Sequence, residues 1–382
     1  MSSLHCAPIF WVGLDVHKES ITAAVFRDRD PEPLRVDRLP YDLRKIRRYF
    51  ERLMAEGSAR ACYEASGAGY VLQRSLTEWG VDCHLAAPSL IPRRPGEHRK
   101  TDRRDAIKIA RDFRDDRLVL IHVPSEADER VRDLVRCRET FQREIVKSRH
   151  YILKFMRRRG FVFREGTHWT LRHFDWIRQV LQPGTLADED RVVLSEYLDL
   201  LEYKLQRRDD LDDRIEALAL TPRYKPVVDR LCCFRGFKTQ AAMVLASELG
   251  DVRRFESPRQ LMAYVGLVPG EYSSGDRRRL GGITKAGNTR LRHVLIQSAW
   301  HYRKRPAVGA SLRRRQKGQD PAVVRHAWKC QHRLFSLFHR LAARKPNQIA
   351  ATAVARELVG FLWAVMREVD ISELQKEVDA AA

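Results

Sequence analysis

No C-x-x-C pair occurs in the 382 residues, and the seven cysteines (Cys6, Cys62, Cys83, Cys137, Cys232, Cys233, Cys330) keep no regular spacing. Adjacent Cys232 and Cys233 are badly placed to ligate one metal. A zinc module and a disulfide framework are therefore both disfavoured, and reduced, mostly buried thiols in a cytosolic protein are expected. Residues 1–10 lack a basic stretch followed by a long apolar core, so no secretory signal is expected. The longest apolar run near the end, residues 358–366, falls well short of the roughly 20 residues that a membrane span needs. Acidic residues are also in deficit, 50 against 71 Lys plus Arg, for a formal net charge of +21. Because 44% of the chain is hydrophobic, this is not a disordered basic tail. A chain of this length predicts two or three domains. The charge predicts a polyanionic partner. Nucleic acid suits it better than an anionic membrane surface, since each neutralised phosphate releases condensed counterions.

Compact apolar runs at 10–16 and 21–26, separated by His17-Lys18-Glu19-Ser20, predict a β-hairpin. Further strands are expected at 34–39, 59–65 and 81–87, and helices at 41–55 and 71–79. Such interleaving predicts a mixed sheet with flanking helices. Pro92-Arg93-Arg94-Pro95-Gly96 reads as a loop, followed by a basic stretch entering a helix near Thr101. After Pro124, Ser125 is placed to N-cap a helix, with Asp128 where a capping carboxylate helps. Val131, Leu134, Ile145, Ile152 and Phe155 then keep a heptad register that Arg138 and Ser148 interrupt, up to Gly160. A second long helix, 190–218, carries Leu194, Leu198, Leu201, Leu205, Ile215 and Ala219 on one seam. The pair reads either as an antiparallel coiled coil that joins subunits or as two amphipathic helices of one core. Between them, 161–184 with Trp169 and Trp176 predicts a small packing element. Residues 231–239 and the helix after them read as a helix-hairpin-helix, with backbone N–H groups facing a phosphate, or as an ordinary helical turn. Lys and Arg crowd into residues 270–318 against only Glu271 and Asp276. Residues 349–366 predict an apolar helix docked on the domain before it. The divisions are 1–124, 125–222 and 223–382.

An acidic residue inside an apolar strand needs a reason, because burying an unpaired charge is costly. Asp15 and Glu64 each end an apolar strand. Asp102 and Asp105, three residues apart, share one helix face. Four such carboxylates would form a hard, oxygen-rich site suited to Mg2+ or Mn2+. Two ions there would activate a nucleophile and stabilise the leaving oxygen of a phosphodiester, and on so basic a chain the substrate would be a nucleic-acid backbone. The plainer reading is that each carboxylate is a cap or a solvated charge.

Specific motifs carry a family resemblance. Val12-Gly13-Leu14-Asp15-Val16-His17-Lys18, Tyr63-Glu64-Ala65, Ala87-Pro88-Ser89-Leu90-Ile91-Pro92 and Lys100-Thr101-Asp102-Arg103-Arg104-Asp105-Ala106 come first. Tyr264-Val265-Gly266-Leu267-Val268-Pro269, Tyr272-Ser273-Ser274-Gly275 and Gly282-Ile283-Thr284-Lys285-Ala286-Gly287-Asn288 follow in order. Together they resemble the DEDD transposases of the insertion-sequence 110 family, relatives of the Piv-type DNA invertases. The resemblance implies an α/β plus α architecture. It consists of an N-terminal ribonuclease-H/RuvC-like mixed sheet, a coiled-coil linker and a helical C-terminal transposase domain with a helix-hairpin-helix-like element. It also implies DNA recombination guided by a bridge RNA that pairs with target and donor DNA, carried out in the bacterial cytoplasm by a homo-oligomer, dimers assembling to a tetramer. Asp15, Glu64, Asp102 and Asp105 would be the metal-binding catalytic tetrad, and Ser273, next to Ser274, the nucleophile. Arg277, Arg278, Arg279, Lys285, Arg290 and Arg292 would contact nucleic acid. The competing functions are a RuvC-like nuclease or Holliday-junction resolvase, a protein-only invertase, and a non-catalytic nucleic-acid-binding protein.

Overall fold

The structure is a computed structural model and describes residues 7–92, 101–271 and 279–370. The chain divides into two compact units, Met1–Pro124 and Ser125–Ala382.

The first unit contains strands β1 (Ile9–Val16), β2 (Ser20–Arg27), β3 (Arg35–Pro40), β4 (Ser58–Glu64) and β5 (Asp82–Ala86), with helices α1 (Leu43–Met54), α2 (Val71–Glu78) and α3 (Asp102–Arg114). They form one five-stranded sheet in the order β3-β2-β1-β4-β5. The β1–β2 and β2–β3 pairs are antiparallel, and β1–β4 and β4–β5 are parallel. This mixed sheet is compatible with the ribonuclease-H-like expectation. The period-two alternation of strand side chains gives the sheet two different faces. Phe10, Val12, Leu14, Ile21, Ala23, Val25, Ala61 and Tyr63 lie in a core with Ile46, Tyr49, Phe50 and Leu53 of α1 and Leu72 and Leu76 of α2. Trp11, Ala24, Phe26 and Cys62 belong to the opposite face and pack on Ala106, Ile109, Ala110 and Phe113 of α3. Asp42 caps α1 by accepting from the N–H groups of Arg44 (2.8 Å) and Lys45 (3.3 Å).

The second unit begins with α4 (Glu126–Arg158), α5 (Leu171–Val180) and α6 (Asp188–Ala219). Ser125 Oγ accepts from the Asp128 N–H at 3.1 Å, as the sequence predicts. The Asp128 carboxylate is used elsewhere, taking bonds from Arg223 Nη2 and Tyr224 Oη, both at 2.7 Å. Helices α4 and α6 run antiparallel, with Arg138 joined to Asp212, Ser148 to Lys204 and Arg159 to Asp190. The two interruptions of the heptad are thereby accounted for. Arg138 makes a two-pronged pair with Asp212 at 2.7 and 3.0 Å, and buried Ser148 accepts from Lys204 Nζ at 3.0 Å. Ile145, Ile152 and Phe155 meet Leu194, Leu198 and Leu201, with Ile177 and Val180 of α5 and the partly buried Trp169 and Trp176 closing this core.

Next come α7 (Lys225–Cys232), α8 (Thr239–Leu249), α9 (Pro258–Tyr264), β6 (Pro269–Glu271), β7 (Leu280–Ile283), α10 (Thr289–Ala299), α11 (Ala310–Gln316), α12 (Pro321–Ala342) and α13 (Asn347–Arg367). β6 and β7 pair antiparallel as a two-stranded ribbon. By length and composition, α13 is the one candidate membrane span among the described residues, with a mean hydropathy of 1.6 in its most apolar window. Ala350, Ala351, Val354, Ala355, Leu358 and Leu362 of α13 are buried in the unit's own core, against residues of α8, α10 and α12. Core burial accounts for its apolar character as well as a bilayer would. Cys62, Cys83, Cys232, Cys233 and Cys330 are free and buried, and Cys137 is free and exposed.

Candidate metal centre

Asp15 is the last-but-one residue of β1, and Glu64 is the last of β4. Leu14 and Tyr63 are register partners, so one step further along these parallel strands Asp15 and Glu64 stand side by side. The third contribution comes from the first turn of α3. Thr101 caps that helix by accepting from the Arg104 N–H at 3.4 Å, and Asp102 and Asp105 both fall in its first turn. Carboxylates are favoured there by the partial positive charge of the helix N-terminus.

What brings α3 to β1 is Gly13. A Cβ at position 13 would stand 2.2 Å from the Ala106 carbonyl oxygen and 2.4 Å from the Ala110 nitrogen. Only glycine lets the helix backbone approach the strand so closely, and Ala106 and Ala110 are the small residues at that contact. The approach leaves Asp102 close to Asp15, with His17 between them. His17 sits in the β1–β2 turn, which its N–H helps to close by donating to Ser20 O at 2.9 Å. His17 Nε2 lies 3.2 Å from Asp15 Oδ2 and 3.4 Å from Asp102 Oδ1. One potential ligand atom from each of Asp15, His17 and Asp102 falls within 4.8 Å of the others. Asp105 is near enough to act on Asp15 electrostatically. Burial raises the Asp15 pKa, His17 opposes the rise, and Asp102 and Asp105 add to it. Glu64, exposed at the end of β4, stands outside this tight group. Two carboxylates and an imidazole, with the Asp105 carboxylate near enough to be felt at Asp15, form a donor set fit for a divalent cation. Sequence reasoning treats Gly13 and His17 as a strand residue and a turn residue. The one available signal was their place, two residues either side of Asp15.

Two family models match the chain. The model described as "Transposase IS116/IS110/IS902 family" covers residues 228–312, and a transposase model of the IS110 DEDD type covers residues 12–159. A putative transposase, y4qE, of Sinorhizobium fredii is 39% identical over 308 residues, spanning 80% of this chain and 75% of the relative. The transposase for insertion sequence element IS1533 of Leptospira borgpetersenii is 30% identical over 340 residues, 88% of this chain and 97% of the relative. The transposase for IS1111A of Coxiella burnetii is 26% identical, covering 79% of this chain and 76% of the relative.

The chain belongs to the IS110 family of insertion-sequence transposases.

In this IS110 transposase the match over residues 12–159 spans Asp15, Glu64, Asp102 and Asp105, and the match over residues 228–312 takes in most of the basic stretch. Ser273, Ser274, Arg277 and Arg278 lie outside the described residues, in the segment joining β6 to β7. Arg279 and Lys285 are exposed. Arg290 and Arg292 have duties inside the chain. Arg290 Nε pairs with Glu139 at 2.7 Å, and Arg292 Nη1 donates to the carbonyls of Val265 and Ala286, each at 3.0 Å. Those carbonyls belong to two loops that interlock. A Cβ on Gly266 would stand 2.1 Å from Ala286 O, and one on Gly287 1.9 Å from Tyr264 O. Both glycines have positive φ, +68° and +71°. Asn288 then caps α10 and donates from Nδ2 to Glu248 at 2.7 Å. The base of the ribbon is thus fixed by backbone contacts and by a buried carboxylate. The helix-hairpin-helix reading falls on α7 and α8, joined by a turn with Gly236 at φ +92°. An open cavity at the first turn of α8 is lined by Glu216, Lys238, Thr239, Gln240, Ser311, Arg314 and Arg315.

Proposed function

We propose that this transposase cleaves and rejoins DNA strands in a reaction that needs Mg2+ or Mn2+ held by Asp15, Glu64, Asp102 and Asp105 of a ribonuclease-H/RuvC-like domain. Ser273 is the proposed nucleophile, and an RNA pairing with target and donor DNA selects the sites. The observation that carries this reading is the meeting of ligand atoms from Asp15 at the end of β1, His17 in the turn after it and Asp102 in the first turn of α3, in a strongly basic chain. A bound divalent ion would polarise the scissile phosphate there. The protein's own part is to bring carboxylates of β1 and α3 together, with Glu64 on the strand beside β1. A serine hydroxyl attacks only when its proton is removed or masked. The planar forks of Arg277, Arg278 and Arg279, next in sequence, suit phosphate oxygens. Two duplexes must be held together for exchange, which a homo-oligomer accomplishes, and base pairing to RNA would relieve the protein of reading bases.

Asp15→Asn should lower strand cleavage roughly a hundredfold or more, as expected when one precisely placed polar group is lost from an active centre. The same variant should melt no lower than the parent. The Asp15 carboxyl is shifted upward, so its ionised form opposes folding above that pKa, and this penalty is absent at a pH low enough to protonate it in both states. Asparagine removes the charge. Unchanged cleavage would leave a non-catalytic nucleic-acid-binding role as the better reading. Replacing Ser273 and Ser274 together by alanine separates the recombinase from a RuvC-like nuclease, because a nuclease would keep cutting. RNA recovered with the purified protein would support guidance, whereas recombination in its complete absence would point to a protein-only invertase.

A further inference from the structure

We propose that His17 is a ligand of the metal in the acidic centre, and that its nitrogen tilts the centre from Mg2+ towards transition ions such as Mn2+. This rests on the reading of the acidic cluster as a metal site and adds a residue and a selectivity to it.

The separations, at which His17 pairs with both carboxylates directly, are also those expected of ligands sharing an ion. Two donors at right angles around a cation with bonds near 2.1 Å stand roughly 3 Å apart. His17 Nε2 is 3.2 Å from Asp15 Oδ2 and 3.4 Å from Asp102 Oδ1. The nitrogen faces one carboxylate from β1 and one from α3, the two elements that Gly13 brings together. Its position is set by the hairpin. Val16 and Ile21 are the last register pair of β1 and β2, and the turn between them is closed by the His17 N–H to Ser20 O bond. The ring therefore starts from a fixed backbone position two residues beyond Asp15. The His17 and Asp102 side chains are each 53% exposed, so an ion and its remaining waters can reach the group from solvent.

The consequence for selectivity follows from donor chemistry. Mg2+ takes oxygen donors almost exclusively and keeps several waters, whereas first-row transition ions gain from an imidazole nitrogen. A purely carboxylate centre would discriminate weakly between Mg2+ and Mn2+. With His17 as a ligand, the preference moves to Mn2+, and removing the ring should move it back.

The test uses the full-length protein and metal alone as the probe. Mn2+ and Mg2+ binding are titrated by calorimetry for the parent, His17→Ala and Asp15→Asn. Pulsed electron paramagnetic resonance of bound Mn2+ reads any coupling to a nitrogen nucleus. The expected result is a nitrogen coupling in the parent that vanishes in His17→Ala. The Mn2+ affinity of that variant should fall about tenfold or more, since even supporting residues around a metal are worth 10- to 100-fold, while Mg2+ affinity changes much less. Because the side chain is half-exposed in a turn, His17→Ala should keep the parent melting profile without metal, which is checked in parallel. If Mn2+ binds, Asp15→Asn abolishes that binding, and yet no nitrogen coupling is seen or it persists in His17→Ala, then the assignment of His17 is overturned while the metal centre stands. If Mn2+ does not bind the parent, or binds Asp15→Asn equally well, the metal reading itself fails and this proposal with it.

Discussion

Replacing Gly13 with valine should abolish strand cleavage and loosen α3, although valine is a better strand residue than glycine. The cause is steric. A Cβ there would lie 2.2 Å from the Ala106 oxygen, 2.4 Å from the Ala110 nitrogen and 2.9 Å from the Ala110 Cα, all of them backbone atoms that cannot rotate away. Overpacking usually costs 1–3 kcal/mol. Here no flexible side chain can absorb it, so about 3 kcal/mol is expected. The helix must retreat, carrying Asp102 and Asp105 away from Asp15. A displacement of roughly 1 Å at a reacting centre is enough to cost about a hundredfold in rate. Added to the lost packing, this should leave no measurable activity. Hydrogen exchange would show α3 amides losing protection before those of β1 and β4. Gly13→Ala should show the same change in milder form. A Gly13→Val protein that melts with the parent and still cuts DNA would mean that α3 is seated by other contacts.

Glu248→Ala should destabilise the second unit by about 3–5 kcal/mol, the cost of leaving one side of a buried ion pair uncompensated. The Glu248 side chain is 1% exposed. It accepts from Arg136 Nε at 2.7 Å and Nη2 at 2.9 Å and from Asn288 Nδ2 at 2.7 Å, with Arg132 Nε 3.8 Å away. Burial alone would raise its pKa, but Arg136, Asn288 and Arg132 outweigh burial and lower it, so the group stays ionised. Alanine would remove the carboxylate that both guanidinium groups face, leaving Arg132 its bond to the Ser247 carbonyl at 3.0 Å, and would release Asn288, which caps α10. Thermal melting should report a fall of roughly 10 °C, and binding of DNA should weaken with it because the ribbon loses its anchor. A melting point within a degree or two of the parent would show that the arginines find other acceptors.

The strands were legible because apolar runs between turn residues bound them tightly. Expectations of 10–16, 21–26 and 59–65 meet strands at Ile9–Val16, Ser20–Arg27 and Ser58–Glu64. Strand ends were legible too, which put Asp15 and Glu64 each at the end of a strand; that the two strands are neighbours came from the sheet pairing. Other features depended on partners far away in the sequence. Nothing around Gly13 announces that a helix some ninety residues later will lie against it. His17 looked like turn chemistry because its two carboxylate neighbours meet it only once the hairpin and α3 are in place. Arg290 and Arg292 were counted as phosphate contacts by their charge. Net charge cannot tell a guanidinium facing solvent from one that holds Glu139 or two carbonyls. Glu248 lies one residue before the end of the apolar helix α8, and nothing in its local sequence announces its partners, which come from α4 and the turn before α10. The heptad of α4 pointed to a helical partner, and that partner is α6 of the same chain.

The pairing of α4 with α6 also has a mechanical meaning. At 1.5 Å per residue, the 33 residues of α4 extend about 50 Å. Val135 lies in the core shared with α8, α10 and α13, while Ile145, Ile152 and Phe155 lie in the core closed by α5. Helix α6 spans the same two cores, with Ile215 in the first and Leu194, Leu198 and Leu201 in the second. Two antiparallel beams lying side by side, cross-braced by Arg138–Asp212 partway along and by Arg159–Asp190 at the far end, make a truss. Twisting one core against the other would require both beams to bend together. The core closed by α5 and the core around α8 are therefore joined by two braced helices rather than one, and bending either helix alone would break the braces.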